Sequence, residues 1–260
     1  MSLELRSASL TKQGGRSCNE DALGECITAV DACLVVSDGA GGHGGGDVAS
    51  RVAVAKVLDT FEREPQVDAE HLLTLFDCAN QAVLEGQTRD VHLADMRATL
   101  VLLLIDRRQD IALWAHSGDS RAYCFRGGRI LHQTLDHSVL QNMVAAGYAE
   151  PTALRTHPQR SKLLSALGSA ENLRVSVASQ PFALREGDVF LLCSDGLWEY
   201  VEETRMAQLL VNANSPQAWL QALETEVLAH ARPNHDNYSA ITLWVDEADQ
   251  STLIFSPDRD

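Results

Sequence analysis

Ala32-Cys33-Leu34-Val35-Val36-Ser37-Asp38-Gly39 is the stretch on which the reading of this chain turns. Its first five residues are a continuous apolar run, which predicts a short buried strand. The Ser-Asp-Gly that follows predicts a turn, so the strand delivers a carboxylate at its end. The arrangement recurs. Asp188 to Cys193 is a second strand with an apolar body, and Ser194-Asp195-Gly196 follows it. A third aspartate, Asp236, stands just before another strand, Tyr238 to Val245. Each Asp-Gly taken alone is an ordinary turn pair. Strand ends nevertheless hold side chains rigidly, as a metal site requires. Donors that are all carboxylates suit Mg²⁺ or Mn²⁺ rather than Zn²⁺. Glycine at position 39 would let a second ion approach the backbone carbonyl closely.

Outward from these strands, Leu3 to Thr11 alternates like a half-buried strand. Asp47 to Phe61 has helical spacing, with Val48, Val52, Ala55 and Leu58 on one face, and Ala69 to Glu85 is a second helix. Strands are expected at Thr99–Ile105, Ile111–His116 and Arg121–Phe125, with a hairpin at Gly127-Gly128 leading into Arg129–His132. Ser138 to Ala146 reads as a short helix stopped by Gly147. The polar, irregular stretch from about 147 to 168 reads as an excursion from the core, and loops of that length are often functional. A strand at Arg174–Ser179 and helices at Glu202–Val211 and Pro216–Ala231 complete the pattern. Strand clusters separated by helix pairs favour an α+β layered domain with largely antiparallel sheets, and no break in composition suggests a second domain.

The formal net charge of −15 argues against nucleic acid as the main partner, because phosphate backbones need stripes of Lys and Arg. Hydrophobic residues make up 45% of the chain, enough for a sizeable core. The longest apolar run, Leu100 to Ile105, is far too short to span a bilayer, so no membrane association is expected. The N-terminus lacks the features of a signal peptide, which predicts a cytoplasmic protein. None of the six cysteines forms a C-x-x-C pair, and all are expected to be reduced thiols.

Five segments in order extend the aspartate pattern: Arg16-Ser17-Cys18-Asn19-Glu20-Asp21, Val36-Ser37-Asp38-Gly39-Ala40-Gly41-Gly42, Gly118-Asp119-Ser120-Arg121, Cys193-Ser194-Asp195-Gly196-Leu197-Trp198-Glu199 and Asp236-Asn237. Ala98-Thr99-Leu100, Asp136-His137-Ser138 and Thr156-His157-Pro158-Gln159-Arg160 support them. From about Leu5 to Val245 the chain resembles the PP2C-type (PPM) metal-dependent protein serine/threonine phosphatases, especially their bacterial branch.

That resemblance implies a four-layer αββα sandwich of two mostly antiparallel sheets flanked by helix pairs. It implies one domain over 1–260, with a flap at about 147–168 and a short polar tail at about 246–260. Asp38 would bridge two Mn²⁺ or Mg²⁺ ions, Asp195 and Asp236 would complete the first ion's shell, and the Gly39 carbonyl would bind the second. Glu20 and Asp21 would act close by, directly or through water, and Asn237 would support Asp236. Asp119 matches the aspartate of a third, weaker metal, to which Ser161 would add a flap contact. Two close ions lower the pKa of a bridging water, and the resulting hydroxide attacks phosphorus. Arg16 would hold phosphate oxygens with its guanidinium. Ala40 stands where many eukaryotic members carry a histidine as candidate general acid. His43, three residues on, reads as a polar loop residue, and leaving-group protonation would fall to water on the metals. His116 and His137 read as structural or solvent-facing. Arg155, His157 and Arg160 would either contact phosphopeptide or stabilise the flap. The implied partners are phosphorylated proteins and a Ser/Thr kinase of bacterial type, and the implied state is a monomer. Two alternatives stand beside this reading: a catalytically weak phosphoprotein-binding module on the same fold, and a phosphatase of small phosphate esters.

Overall fold

The computed structural model describes residues 3–40, 44–171 and 173–247. In chain order it begins with strands β1 (Leu3–Lys12), β2 (Asp21–Ile27) and β3 (Asp31–Ala40), then helices α1 (Gly46–Arg63) and α2 (Ala69–Arg89). A run of strands follows: β4 (Arg97–Ala98), β5 (Leu100–Asp106), β6 (Ile111–Ser117), β7 (Arg121–Arg126) and β8 (Arg129–Gln133). Short helices α3 (Val139–Ala145) and α4 (Ala153–Thr156) precede β9 (Ser176–Val177), β10 (Phe182–Ala183) and β11 (Asp188–Cys193). The last elements are α5 (Asp195–Trp198), α6 (Glu203–Val211), α7 (Pro216–His230) and β12 (Tyr238–Glu247).

The strands form two sheets, in the orders β1-β12-β11-β7-β8 and β10-β6-β5-β3-β2, and the pairs are antiparallel. Side-chain alternation sorts each strand between two cores. On β3 and β5, Cys33, Val35, Leu100, Leu102 and Leu104 pack against α1 and α2. Their neighbours Leu34, Val36, Val101, Leu103 and Ile105 face the other sheet, meeting Ala122, Phe190, Leu192, Ile241 and Leu243. The far side of that second sheet packs Phe125, Leu191 and Ala240 against Trp198, Met206, Trp219 and Leu223 of the helices. The layers are therefore helix pair, sheet, sheet, helix pair, as expected.

Several local expectations need correction. β3 does not end at Val36: it runs through Asp38 to Ala40, because Asp21 and Ala98 supply ladder partners from distant sequence. Asp38 thus lies within a strand and not in a turn. β2 had no predicted counterpart, since Gly24 and Glu25 interrupt its apolar pattern. The strand expected at Arg174–Ser179 shrinks to Ser176–Val177, which pairs with only two residues of β6. Asp195 opens helix α5 where a turn was expected. The final strand reaches Glu247, and the rest of the expected tail, like Gly41, Gly42 and His43, lies outside the described residues.

Candidate active site

The faces that meet between the sheets change chemistry at one end. Following each strand toward that end, Val36 gives way to Asp38, Leu23 to Asp21, Val101 to Thr99, Ala122 to Ser120, Leu192 to Ser194 and Ile241 to Ser239. Each polar residue is the next position on the same face of its strand. The apolar core therefore stops along a common line, and a polar cleft begins. Hydrogen bonds stitch the two sheets together there. Thr99 Oγ1 and Ser120 Oγ lie 2.7 Å apart, and Thr99 Oγ1 also accepts from the Asp38 amide at 3.0 Å. Ser194 Oγ donates to Asp21 Oδ2 at 2.7 Å and accepts from the Ser239 amide at 2.9 Å. None of these four hydroxyl residues was given a role from sequence. Their signal is the apolar-to-polar switch at same-face spacing.

The cleft holds about 350 Å³. Its walls carry Asp38, Asp119, Asp195, Asp236 and Glu20, together with Arg16, Gly39 and Ser161. Asp21 sits directly opposite Asp38 in the β2–β3 ladder. The residues expected to form the metal and phosphate site are thus brought to one place. Their proximity is visible in their electrostatics. Burial first, and then the charges of Asp21, Asp195, Asp119 and Asp236, hold the Asp38 carboxyl well above the usual range. Burial followed by Asp119, Glu199 and Asp236 does the same to Asp195. Burial pushes Asp21 up to about 6 and Asp119 up to about 7, with Asp136 adding repulsion at Asp119. Glu20 is raised by burial and by Asp47 and Asp236.

Asn237 organises the entrance. Its Nδ2 donates to the carbonyls of Gln13 and Cys18 at 2.7 and 2.9 Å, and its Oδ1 accepts from the Glu20 amide at 2.8 Å. One amide side chain therefore fixes both ends of the loop carrying Arg16. Arg16 Nη2 lies 2.5 Å from Asp236 Oδ2, with both side chains partly exposed. At Gly39 the chain passes so close to Gly46 that a Cβ would lie 2.3 Å from its carbonyl oxygen, so no larger residue fits.

The donor set fits a hard divalent cation. It consists of carboxylate oxygens, and Oδ1 of Asp21 and Oδ1 of Asp195 are buried with no hydrogen-bond partner. Among the described residues, no three His, Cys, Asp or Glu side chains are gathered into a finished metal cage. Two of the expected groups are engaged elsewhere: Asp236 is turned to Arg16, and Asp21 gives one oxygen to Ser194.

The excursion after Gly147 docks along the start of α3. Val139 donates to the Lys162 carbonyl at 2.9 Å, and Leu164 donates to the His137 carbonyl at 2.7 Å. Arg160 pairs with Glu199, and Arg155 pairs with Glu203 at 2.6 Å. Of the two roles open for these arginines, their contacts are those of groups that hold the excursion down. His157 caps its own turn, its Nδ1 accepting from the Gln159 amide at 3.1 Å. His116 and His137 stack 4.5 Å apart outside the cleft lining. Among the described residues no helix is long and apolar enough to cross a membrane, and all six cysteines are free thiols.

Comparison with known proteins places this geometry. The protein phosphatase 2C family model matches residues 11–240. The serine/threonine phosphatase stp of Listeria welshimeri is 33% identical over 188 residues, covering 70% of this chain and 73% of that protein. The solved serine/threonine phosphatase Stp1 of Staphylococcus aureus superposes with a TM-score of 0.82 at 27% identity, covering 94% of this chain and 96% of that one. The catalytic domain of the serine/threonine protein phosphatase PstP, solved with two manganese ions, superposes at 0.77 with 27% identity, covering 94% and 100%.

Proposed function

Because this chain belongs to the protein phosphatase 2C family, we propose that it hydrolyses phosphoserine and phosphothreonine in proteins at the acidic cleft between its sheets. The observation that carries the reading is the composition of that cleft: five carboxylates and one arginine line about 350 Å³, and buried oxygens of Asp21 and Asp195 lack partners. So many enclosed carboxylates repel one another unless a cation joins them.

In this reading Asp38, Asp195, Asp236 and the Gly39 carbonyl would hold the Mn²⁺ or Mg²⁺ ions, with Asp38 as the shared ligand. When bound, the ions supply Lewis-acid charge and a water acidic enough to attack phosphorus near neutral pH. Glu20 and Asp21 orient the surroundings of that centre, Asp21 through its bond to Ser194. Asp119 and Ser161 face the same cleft and are proposed to take a third, weaker ion. Arg16 offers its guanidinium to the phosphoryl oxygens, the bidentate geometry suiting phosphate. Asn237 keeps the Arg16 loop in place for that task. Ala40 carries no proton donor, and in this reading the leaving alkoxide takes its proton from water in the cleft. The whole is proposed to be one phosphatase domain, acting as a monomer on proteins phosphorylated by a bacterial-type Ser/Thr kinase.

The test is turnover of an aryl phosphate and a phosphothreonine peptide, with Mn²⁺ and with chelator. Metal-dependent turnover of both is expected, and Asp38→Asn should lower it by at least about a hundredfold. Absence of any metal-dependent turnover would overturn the enzyme reading. Turnover of the aryl ester alone would redirect it to small esters.

A further inference from the structure

Beside the acidic cleft lies a second hollow of about 340 Å³. The two share Ala40, Ser161 and Leu163 in their linings, so they are continuous. Their chemistry is opposite. The cleft is walled by carboxylates, whereas no carboxylate lines the hollow and Arg97 is its one charged residue among those described.

Arg97 is set on a rigid frame. Its strand β4 pairs with β3 at Ala40, and the next residue, Ala98, exchanges backbone hydrogen bonds with Leu167. Gln87 ties the two sides together, its Nε2 donating to the carbonyls of Met96 and Gly168 at 2.9 and 3.0 Å. Gly168 has φ +85°, and a Cβ there would lie 3.0 Å from Arg97 Nη1, so the chain closes over the guanidinium. Yet Nη1 is buried with no hydrogen-bond partner among the described residues. That nitrogen is closed off by the chain, so an anion in the hollow meets the part of Arg97 that lines it, and carboxylate and phosphate oxygens are the acceptors that suit a guanidinium best. The frame holds a guanidinium beside a hollow that no carboxylate lines, in a protein whose net charge is −15.

We infer that the hollow is a subsite for an anionic side chain flanking the phosphorylated residue, with Arg97 as the recognition group. The inference rests on the phosphatase reading. An extended peptide advances about 3.3–3.6 Å per residue, so one whose phosphate sits in the cleft reaches the adjoining hollow within a few residues. The anion is an acidic side chain or a second phosphate, both of which a guanidinium binds in the same way. Arg97 binds and selects the substrate and takes no part in the chemistry.

The experiment uses the full chain with Mn²⁺ and matched phosphothreonine peptides. At each of three positions on either side these carry Gln, Glu or phosphoserine, and an aryl phosphate serves as the flank-free control. At one or more positions the wild type should prefer Glu or phosphoserine over Gln by about tenfold in kcat/KM, mainly through KM. Arg97→Gln should erase the preference and leave aryl phosphate turnover unchanged, and Arg97→Lys should keep part of it. A preference for phosphoserine alone would assign the subsite to a second phosphate, and one for Glu as well to any anion. Aryl turnover with no anionic preference in the wild type would overturn the Arg97 inference alone. A preference that survives Arg97→Gln would do the same. Absence of turnover of the aryl phosphate and of every peptide would overturn the phosphatase reading and this inference with it. The wild-type comparison keeps its force even if a variant folds poorly.

Discussion

Arg121 shows what single residues contribute away from the ligand set. It is 2% exposed and forms a two-pronged bond to Asp136, at 2.7 and 2.9 Å. Its guanidinium lies 3.4 Å over the ring of Trp198, and the Trp198 indole donates to the Asp119 carbonyl at 2.9 Å. The backbone that presents Asp119 to the cleft is thereby fixed from behind by a buried charge pair and a stacked ring. Arg121→Met would leave Asp136 buried without its partner. The expected loss is about 3–5 kcal/mol of unfolding free energy, measurable as a fall in the urea midpoint. An unchanged midpoint would show that the pair contributes nothing. From sequence, Arg121 is merely the last letter of Gly118-Asp119-Ser120-Arg121, because nothing local announces that Asp136 and Trp198 will reach it.

At the scale of elements, the strands that pack on both faces were legible because their apolar runs are unbroken. Leu100–Ile105 and Val189–Cys193 are the clearest cases, and the two long helices were equally clear. Segments of turn-like composition that distant partners hold extended were not legible. Ser37-Asp38-Gly39 has the composition of a turn, and only Asp21 and Ala98 in the adjoining strands make it extended. The excursion at 147–168 was recognisable as an insertion, but its anchors were not, since Glu199 and Glu203 lie some forty residues on. Arg160→Ala would strand Glu199, whose side chain is 6% exposed. The local cost is about 1–3 kcal/mol, and limited proteolysis should cut within 147–164 several-fold faster than in the wild type. An unaltered cleavage rate would detach Arg160 from that role.

The segment between β8 and α3 has its own pH dependence. Burial, followed by the charges of His116 and Arg174, pushes the His137 imidazole down to about 4. An unfolded histidine titrates near 6.5, so between about 6.5 and 4 the unfolded chain takes up a proton that the folded one refuses. The contribution is complete above that window and is lost as the pH falls through it. His137 Nε2 pairs with Ser176 Oγ at 2.8 Å, and its ring stacks on His116. His137→Gln should therefore lose less of its melting temperature than the wild type between pH 7 and pH 5. An equal loss in both would place the acid sensitivity elsewhere.

Across the whole molecule, most of the residues that meet in the cleft were named from sequence, and their arrangement was not. Asp38, Asp195 and Asp236 announced themselves by position, while their meeting depends on matching side-chain parity in two sheets and on where both apolar faces stop. Arg16 belonged in the phosphate site by motif, yet its partner Asp236 is 220 residues away. The same convergence has a thermodynamic consequence. Burial holds the carboxyls of Asp21, Asp38, Asp119 and Asp195 above the usual range, and the charges of Asp21, Asp195 and Asp119 add to the cost of ionising Asp38. Function and stability therefore pull in opposite directions at Asp38. With chelator present, Asp38→Asn removes a buried carboxyl that is costly to ionise among its neighbours while keeping the shape, and should stabilise the fold by about 1–2 kcal/mol. For a chain of this size that is a rise of about 2–6 °C in melting temperature. With Mn²⁺ at a hundredfold excess over its Kd, the wild type should gain about 2.7 kcal/mol per site. The variant, lacking the carboxylate proposed to be shared by the ions, should gain much less, so the order of the two melting temperatures reverses on adding metal. If Asp38→Asn were the less stable protein in chelator, repulsion among these carboxylates would not be the dominant force in the empty cleft.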